Sequence, residues 1–179
     1  MIKGDHVYLR PIQKEDMYSF YQATQDEEIR YMTGTRDSFT MEQLAHHFTT
    51  ISQDESRRDF AICLSQNNEL IGDLSIVEID EMNKKAGFRI AIHNPTYFNK
   101  GYGSEATKLA ILFSFEQLKL NRLQLEVFSH NKRGMKAYEK VGFKKEGVLR
   151  QSLYINNQYS DEIIMGITRA DYKTFKCTV

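Results

Sequence analysis

Two groups of residues stand at spacings that can do chemistry. The first is Tyr97-Phe98-Asn99-Lys100-Gly101-Tyr102-Gly103-Ser104-Glu105-Ala106, where two glycines open a helical pattern behind the apolar, branched run Ala86-Gly87-Phe88-Arg89-Ile90-Ala91-Ile92. Strand, short polar loop, glycines and helix, in that order, build an anion site. Glycine lets the backbone approach a ligand and take φ > 0, and a helix start leaves about four N–H groups without partners. A phosphate satisfies those donors, the positive end of the helix dipole favours its charge, and Lys100 adds a mobile cation beside it. The same glycines also fit plain turn chemistry. The chain has no G-x-x-x-x-G-K-[ST] motif, and its G-x-G-x-x-A, ending at Ala106, lies past mid-chain rather than in a first strand-to-helix turn. A nicotinamide or ATP enzyme is thereby disfavoured.

The second group is Asn131 and Tyr138, seven residues apart in one predicted helix. That separation is about two turns, so both fall on one face and a single ligand can touch both. Gly134, Met135, Ala137 and Val141 share this face, so spacing alone favours an aromatic in a core. Glu78, Asp80, His93 and Glu126 are ionisable groups on or beside predicted strands, each a candidate base and each also readable as solvated charge. His46 and His47 lack further ligands at suitable spacing, so no metal site is expected.

The elements that must position these groups follow from length and pattern. A chain of 179 residues can bury a proper core as one domain over 1–179, and its 24 basic residues balance 24 acidic ones. A pI near 7.0 argues against a nucleic-acid partner. No signal peptide or run of spanning length is present, and Cys63 and Cys177 do not make a disulfide framework, so a cytoplasmic protein with reduced thiols and no membrane contact is expected. Cys63 sits in an apolar run and reads as a buried small hydrophobe.

Residues 7–10 read as a strand ended by Pro11, and Lys14-Glu15-Asp16 introduces a helix to about Ala23. The stretch 27–39 reads as a short helix and a loop. Thr40 with Gln43 makes a capping box for a helix to about Ile51. Strands are expected at 60–64, 70–79 and 85–92, the third returning antiparallel to the second until Pro95 breaks the ladder. A helix over 104–120 carries Ala106, Leu109, Ala110 and Phe113 on one side and Ile111, Phe115 and Leu118 on the other, so it needs two covers. A strand over 123–127 follows, then a helix capped by Asn131 and stopped by Gly142, then a closing pair of strands at 143–149 and 162–168. The fold class is α/β (α+β): a mixed, mostly antiparallel central sheet with helices on both faces.

At this point a resemblance becomes specific. Leu9-Arg10-Pro11 with Glu15-Asp16, Leu70-Ile71-Gly72, the glycine loop, and Asn131 through Ala137-Tyr138-Glu139-Lys140-Val141-Gly142-Phe143 make the chain similar to the GNAT superfamily of acetyl-CoA-dependent N-acyltransferases over nearly its full length. The resemblance implies that the glycine loop holds the coenzyme A pyrophosphate through Phe98, Asn99, Lys100, Gly101, Tyr102, Gly103 and Ser104. It implies that Ile90, Ala91 and Ile92 pair with the pantetheine arm and that Asn131 touches the cofactor, while Arg133 and Lys132 stand where they can meet its 3′-phosphate or be surface charge. The family often carries Gln or Arg three residues before the first glycine and a glycine next to it. Here Phe98 and Asn99 stand there.

Acetyl transfer from a thioester to an amine needs a neutral amine, stabilisation of an oxyanion and a proton for the departing thiolate. The resemblance makes Tyr138 the acid, and a phenol of pKa ~10 lies near a thiol of ~8.5. Backbone N–H groups where the strand ending at Ile92 splays are the expected oxyanion donors, and Glu78 is taken as the candidate base. Val77-Glu78-Ile79, Lys85-Ala86 and 146–159 resemble the branch with polyamine and ribosomal-protein N-terminal acetyltransferases. Asp26, Glu27, Glu28, Glu78 and Asp80 can attract a polycation, although Gly87 replaces a carboxylate that polyamine enzymes tend to carry. A small amine is thus the leading acceptor and a protein N-terminus the second. A non-catalytic acyl-CoA-binding module is the alternative from another class, and the edge strands of the closing pair permit a homodimer.

Overall fold

Alternating apolar residues pair strands here, and capping residues set helix ends. The computed structural model describes residues 1–178, with side chains to Thr174, so the Cys177 thiol lies outside the described residues. The strands are β1 (Ile2–Lys3), β2 (Val7–Pro11), β3 (Arg58–Leu64), β4 (Leu70–Asp80), β5 (Lys85–Ile92), β6 (Arg122–Phe128), β7 (Lys144–Ile155) and β8 (Gln158–Thr168). The helices are α1 (Met17–Gln25), α2 (Glu27–Thr33), α3 (Met41–Ile51), α4 (Tyr102–Glu116), α5 (Lys132–Lys140) and α6 (Arg169–Thr178). All described strands join one sheet in the order β1-β2-β3-β4-β5-β6-β8-β7. Every neighbouring pair is antiparallel except β5 and β6. That parallel pair lasts only from Lys85↔Arg122 to Gly87↔Gln124, while β5 stays paired with β4 to Ile92 and β6 with β8 to Phe128.

One face of the sheet is apolar and packs on α4. Leu9, Ile62, Leu74, Ile76, Phe88 and Leu125 are buried there with Ala106, Leu109, Ala110, Ile111 and Phe115. The two-sided apolar pattern of α4 finds its second cover in the C-terminal part: Tyr172 of α6 lies 5.3 Å from the Phe115 ring. Arg169 donates to the carbonyls of Phe115 and Leu120, satisfying acceptors that a helix end leaves open. The opposite face is polar. Asp59, Asp73 and Ser75 line a second cavity beneath Met17 and Phe20 of α1 and Leu44 and Phe48 of α3. Helices thus cover both faces, and Cys63 is fully buried.

The structure differs from expectation in three respects. The long helix begins at Tyr102 and ends at Glu116 rather than spanning 104–120, because Gly101 at φ 86 ends the loop two residues early and Lys119 at φ 57 reverses the chain after it. The closing strands are longer, meeting at a two-residue turn in which Asn156 (φ 51) and Asn157 (φ 59) are both left-handed. Two consecutive left-handed residues match the twist of a tight hairpin, and Asn tolerates that conformation. Finally, β1 and α6, absent from the expected elements, form at the two ends.

One largely buried ion pair ties β2 to the start of α1. Arg10 makes two 2.7 Å bonds to Asp16, which also accepts from the Gln13 N–H at 2.7 Å. Burial pushes the Asp16 carboxyl up, but the Arg10 hydrogen bonds, the Gln13 N–H and the Arg10 charge outweigh it and hold the group below its usual range. The folded carboxyl therefore titrates below the unfolded one, so its stabilisation is present above about pH 4 and is lost as pH falls through the folded value. Asp16→Asn should cost about 3 kcal/mol in urea unfolding at pH 7, since it strands Arg10. The gap between wild type and variant should narrow below about pH 4. A variant as stable as wild type at pH 7 would show that the pair is dispensable.

Candidate active site

The site is assembled where β5 and β6 part. After Ile92 the chain turns through Pro95–Tyr97, with the Asn94 side chain accepting from the Thr96 N–H at 2.9 Å. Asn99 (φ 61) and Gly101 (φ 86) then bring the loop round to α4. A Cβ at Gly101 would meet nothing within 4 Å, so its left-handed φ alone explains this glycine. Gly103 lies inside the first turn of α4, where an added Cβ would sit 3.8 Å from Ile92. No side chain caps α4, which leaves its first N–H groups pointing at the open end of the loop.

Charges near that helix start are held in place. The one acidic residue of the first turn, Glu105, faces away and accepts from the His6 and Val7 N–H groups at 2.8 and 3.1 Å. Burial raises its carboxyl, but those bonds and the His6 ring hold it below the usual range. Tyr97 donates its hydroxyl to Glu69, whose hydrogen bond pushes the phenol up to about 12. Lys100 lies 5.6 Å above the Tyr97 ring. Among the described residues of the first turn, no free carboxylate thus competes with an anion at the α4 N-terminus.

Asn131 fixes the opposite wall. Its side-chain oxygen accepts from the Gly134 N–H at 2.9 Å, capping α5, and its nitrogen donates to the Met32 carbonyl at 3.3 Å. Beside it, His130 donates to or accepts from Ser160 at 2.8 Å, bonds the Tyr31 carbonyl at 2.7 Å, and stacks on the Tyr31 ring at 4.1 Å. Gly34, the left-handed C-cap of α2, presses on the Phe128 ring, where an added Cβ would come within 2.3 Å. The end of β6 therefore clamps α2 over the gap.

One cavity joins most of the expected residues. Ile90, Ala91 and Ile92 of β5, Phe98, Gly103, Asn131, Arg133 and Tyr138 all line it. Asn99, Lys100, Gly101, Tyr102 and Ser104 form the loop and helix start beside it rather than its wall. Glu78 is not brought there: it is exposed at φ 53 in the irregular stretch of β4 near Asp80, at the paired end of β5 rather than the Ile90–Ile92 end. His93 is buried on the other side with both ring nitrogens engaged, Nε2 at 2.7 Å from Asp73 and Nδ1 at 3.1 Å from Ser19. Asp80 accepts from Asn83, and Glu126 accepts from Gln124.

Sequence reasoning missed the α2 side of the cavity, formed by Ile29, Met32 and Thr33. Their i, i+3, i+4 spacing was the available signal, since it places all three on one helix face. The hydroxyl of Tyr138 has no hydrogen-bond partner among the described residues, and its ring meets Phe143 edge-on at 6.1 Å. Burial pushes this phenol up to about 12. Tyr138 thus packs on the core edge and lines the cavity at once.

The residues present fit coenzyme A. The uncapped α4 start suits its phosphates, and the unpaired edge of β5 beyond Gly87 suits an arm that carries amides. The family model described as acetyltransferase (GNAT) domain matches residues 6–144. The chain is 31% identical over 172 residues to spermidine N(1)-acetyltransferase of Escherichia coli K12, covering 96% of this chain and 91% of that protein. Among solved structures it is similar to spermidine N-acetyltransferase of Vibrio cholerae in complex with CoA and spermine, with a TM-score of 0.88, 25% identity, and coverage of 95% and 99%. A dodecameric structure of the Vibrio cholerae enzyme gives a TM-score of 0.81 at 25% identity, covering 94% and 97%. A glycine loop at an uncapped helix start, a strand freed from its neighbour, and a phenol at the end of the same cavity are thus found in a chain that belongs to the GNAT acetyltransferases, which use acetyl-CoA as donor.

Proposed function

We propose that this chain transfers the acetyl group of acetyl-CoA to a primary amine of a polyamine of the spermidine type, by direct transfer in a ternary complex. The observation that carries the reading is the single cavity joining the freed β5 edge, the α4 start and Tyr138. The full-length similarity to spermidine acetyltransferases supports the acceptor. The relatives reported above that name an acceptor all name a polyamine, which favours a polyamine over a protein N-terminus.

When bound, acetyl-CoA supplies an activated thioester carbonyl. The α4 N–H groups and Lys100 hold phosphates at the mouth. Backbone N–H groups of β5 past Gly87, without a β6 partner, orient the carbonyl and stabilise charge that develops on its oxygen. Tyr138 holds a proton at its hydroxyl through the neutral pH range and delivers it to the departing sulfur as the C–S bond breaks, and the proton lost by the attacking nitrogen as the C–N bond forms restores the phenol. A phenol at about 12 is a weak acid for a thiol of ~8.5 in water. The burial that raises the phenol also raises a thiolate leaving in the same apolar cavity, which narrows that gap. Among the acidic residues of α2 and its cap, Asp26 caps the helix and Glu28 pairs with Arg133, whereas Glu27 is exposed and stands ready for a polycation. Exposed Leu149, Tyr154 and Tyr159 on the β7–β8 hairpin support self-association, in line with the dodecameric relative.

A thiol-release assay with acetyl-CoA should show turnover with spermidine or spermine and none with free amino acids or N-terminal peptides. Turnover confined to peptides would reverse the acceptor assignment. Tyr138→Phe should lower kcat by about 10²-fold or more while the CoA-induced rise in Tm persists. Full turnover in that variant would remove the acid role.

The pH profile carries its own sign. An acid with pKa about 12 stays protonated up to pH 10, so kcat should rise as the amine deprotonates and should not fall again below pH 10. An alkaline fall near pH 8–9 that Tyr138→Phe abolishes would contradict the buried-phenol account.

A further inference from the structure

Arg133 occupies a position that a cation does not choose on its own. It is the second residue of α5, at the positive end of that helix dipole, and Lys132 stands just before it. Two groups from other elements hold it there. Its guanidinium lies 3.7 Å above the centroid of the Phe98 ring from the glycine loop. Its Nη1 sits 3.4 Å from Glu28 of α2. Phe98 and Arg133 both line the cofactor cavity, so the ring and the guanidinium stand at its wall, with the Glu28 carboxylate behind them on α2. Phe98 also occupies the place where the family often carries Gln or Arg.

We propose that Glu28 is an internal stand-in for a phosphate of coenzyme A, and that Phe98 is the platform that keeps Arg133 aimed at the anion site in place of a polar side chain at position 98. The proposal rests on the cofactor reading above. A flat aromatic face attracts a guanidinium and limits its rotamers, so Arg133 meets an anion with less ordering left to do. Glu28 satisfies the cation while that anion is absent. The pair is partly exposed, with 33% and 46% of the two side chains accessible, so it is screened and exchangeable. Because Glu28 neighbours Ile29 in α2, the exchange in which Arg133 leaves Glu28 for a phosphate also releases a tie on the helix that carries Ile29, Met32 and Thr33 into the cavity.

The two residues should then act in opposite directions on affinity. Calorimetric Kd values for CoA and dephospho-CoA would be measured on the full chain and on Glu28→Gln, Phe98→Leu, Arg133→Gln and the double variants with Arg133→Gln, each checked for a cooperative melt. Glu28→Gln should bind CoA about threefold more tightly, the scale of one exposed ion pair removed as a competitor. Phe98→Leu keeps an apolar side chain but removes the ring face, and should bind about fivefold more weakly, the scale of a cation–π contact. Arg133→Gln should weaken binding and erase both effects. Changes confined to CoA would name the 3′-phosphate as the anion, and equal changes with dephospho-CoA would name the pyrophosphate. Unchanged or weaker CoA binding by Glu28→Gln, with wild type binding normally, would overturn the proposal alone. Failure of wild type to bind CoA would overturn the cofactor reading with it.

Discussion

The parting of β5 and β6 is the constraint on which the rest depends. Each strand keeps its outer antiparallel partner, β4 for one and β8 for the other, to its C-terminal end. Between them only three residue pairs form before the strands separate. A strand edge left unpaired inside a protein exposes N–H and C=O groups whose burial without partners is costly. Such an edge must face water or a molecule with its own amides. The glycine loop, the uncapped α4 start and the wall of α5 are all arranged around this one opening.

Holding the opening in shape requires that nearby charges be committed elsewhere. Glu105 is turned onto the β1–β2 turn, Glu69 onto Tyr97 and Asp16 onto Arg10. The chain is neutral as a whole, yet the α4 N-terminus keeps its positive character because its one first-turn carboxylate points away. The polar face under α1 and α3 shows the same economy of partners: the described buried side chains leave no enclosed polar atom unsatisfied.

Burial shapes the chemistry as much as it shapes the fold. Tyr138 lies on a helix, packs against the core edge and also lines the cavity, so one side chain belongs to both. The opposition between a core tyrosine and a cavity-lining one, which spacing leaves open, dissolves in three dimensions because the cavity adjoins the core. Asn131 likewise has a double commitment, capping α5 and gripping α2.

The strands from 60 to 92, the Thr40–Gln43 capping box, the Asn131 cap and the Gly142 stop were legible in the sequence because each is decided within a few residues, by alternation, by a side chain reaching its own helix start, or by a φ only some residues tolerate. The glycine loop was legible for the same reason. The closing pair was placed around Asn156-Asn157, but the reach of its strands to a two-residue turn and the presence of α6 were not, the first because Asn is a weaker turn signal than Gly, the second because the polar α6 is held by Arg169 and Tyr172 reaching α4. What only the tertiary structure decided is which residues meet: Asn131 with Met32 and His130 with Tyr31, both 99 positions apart, bring α2 over the cavity, while Glu78 is left outside it. Local sequence carries the conformation of each element. The wall of a cleft is set by contacts between elements distant in the chain, whose energies no short stretch contains.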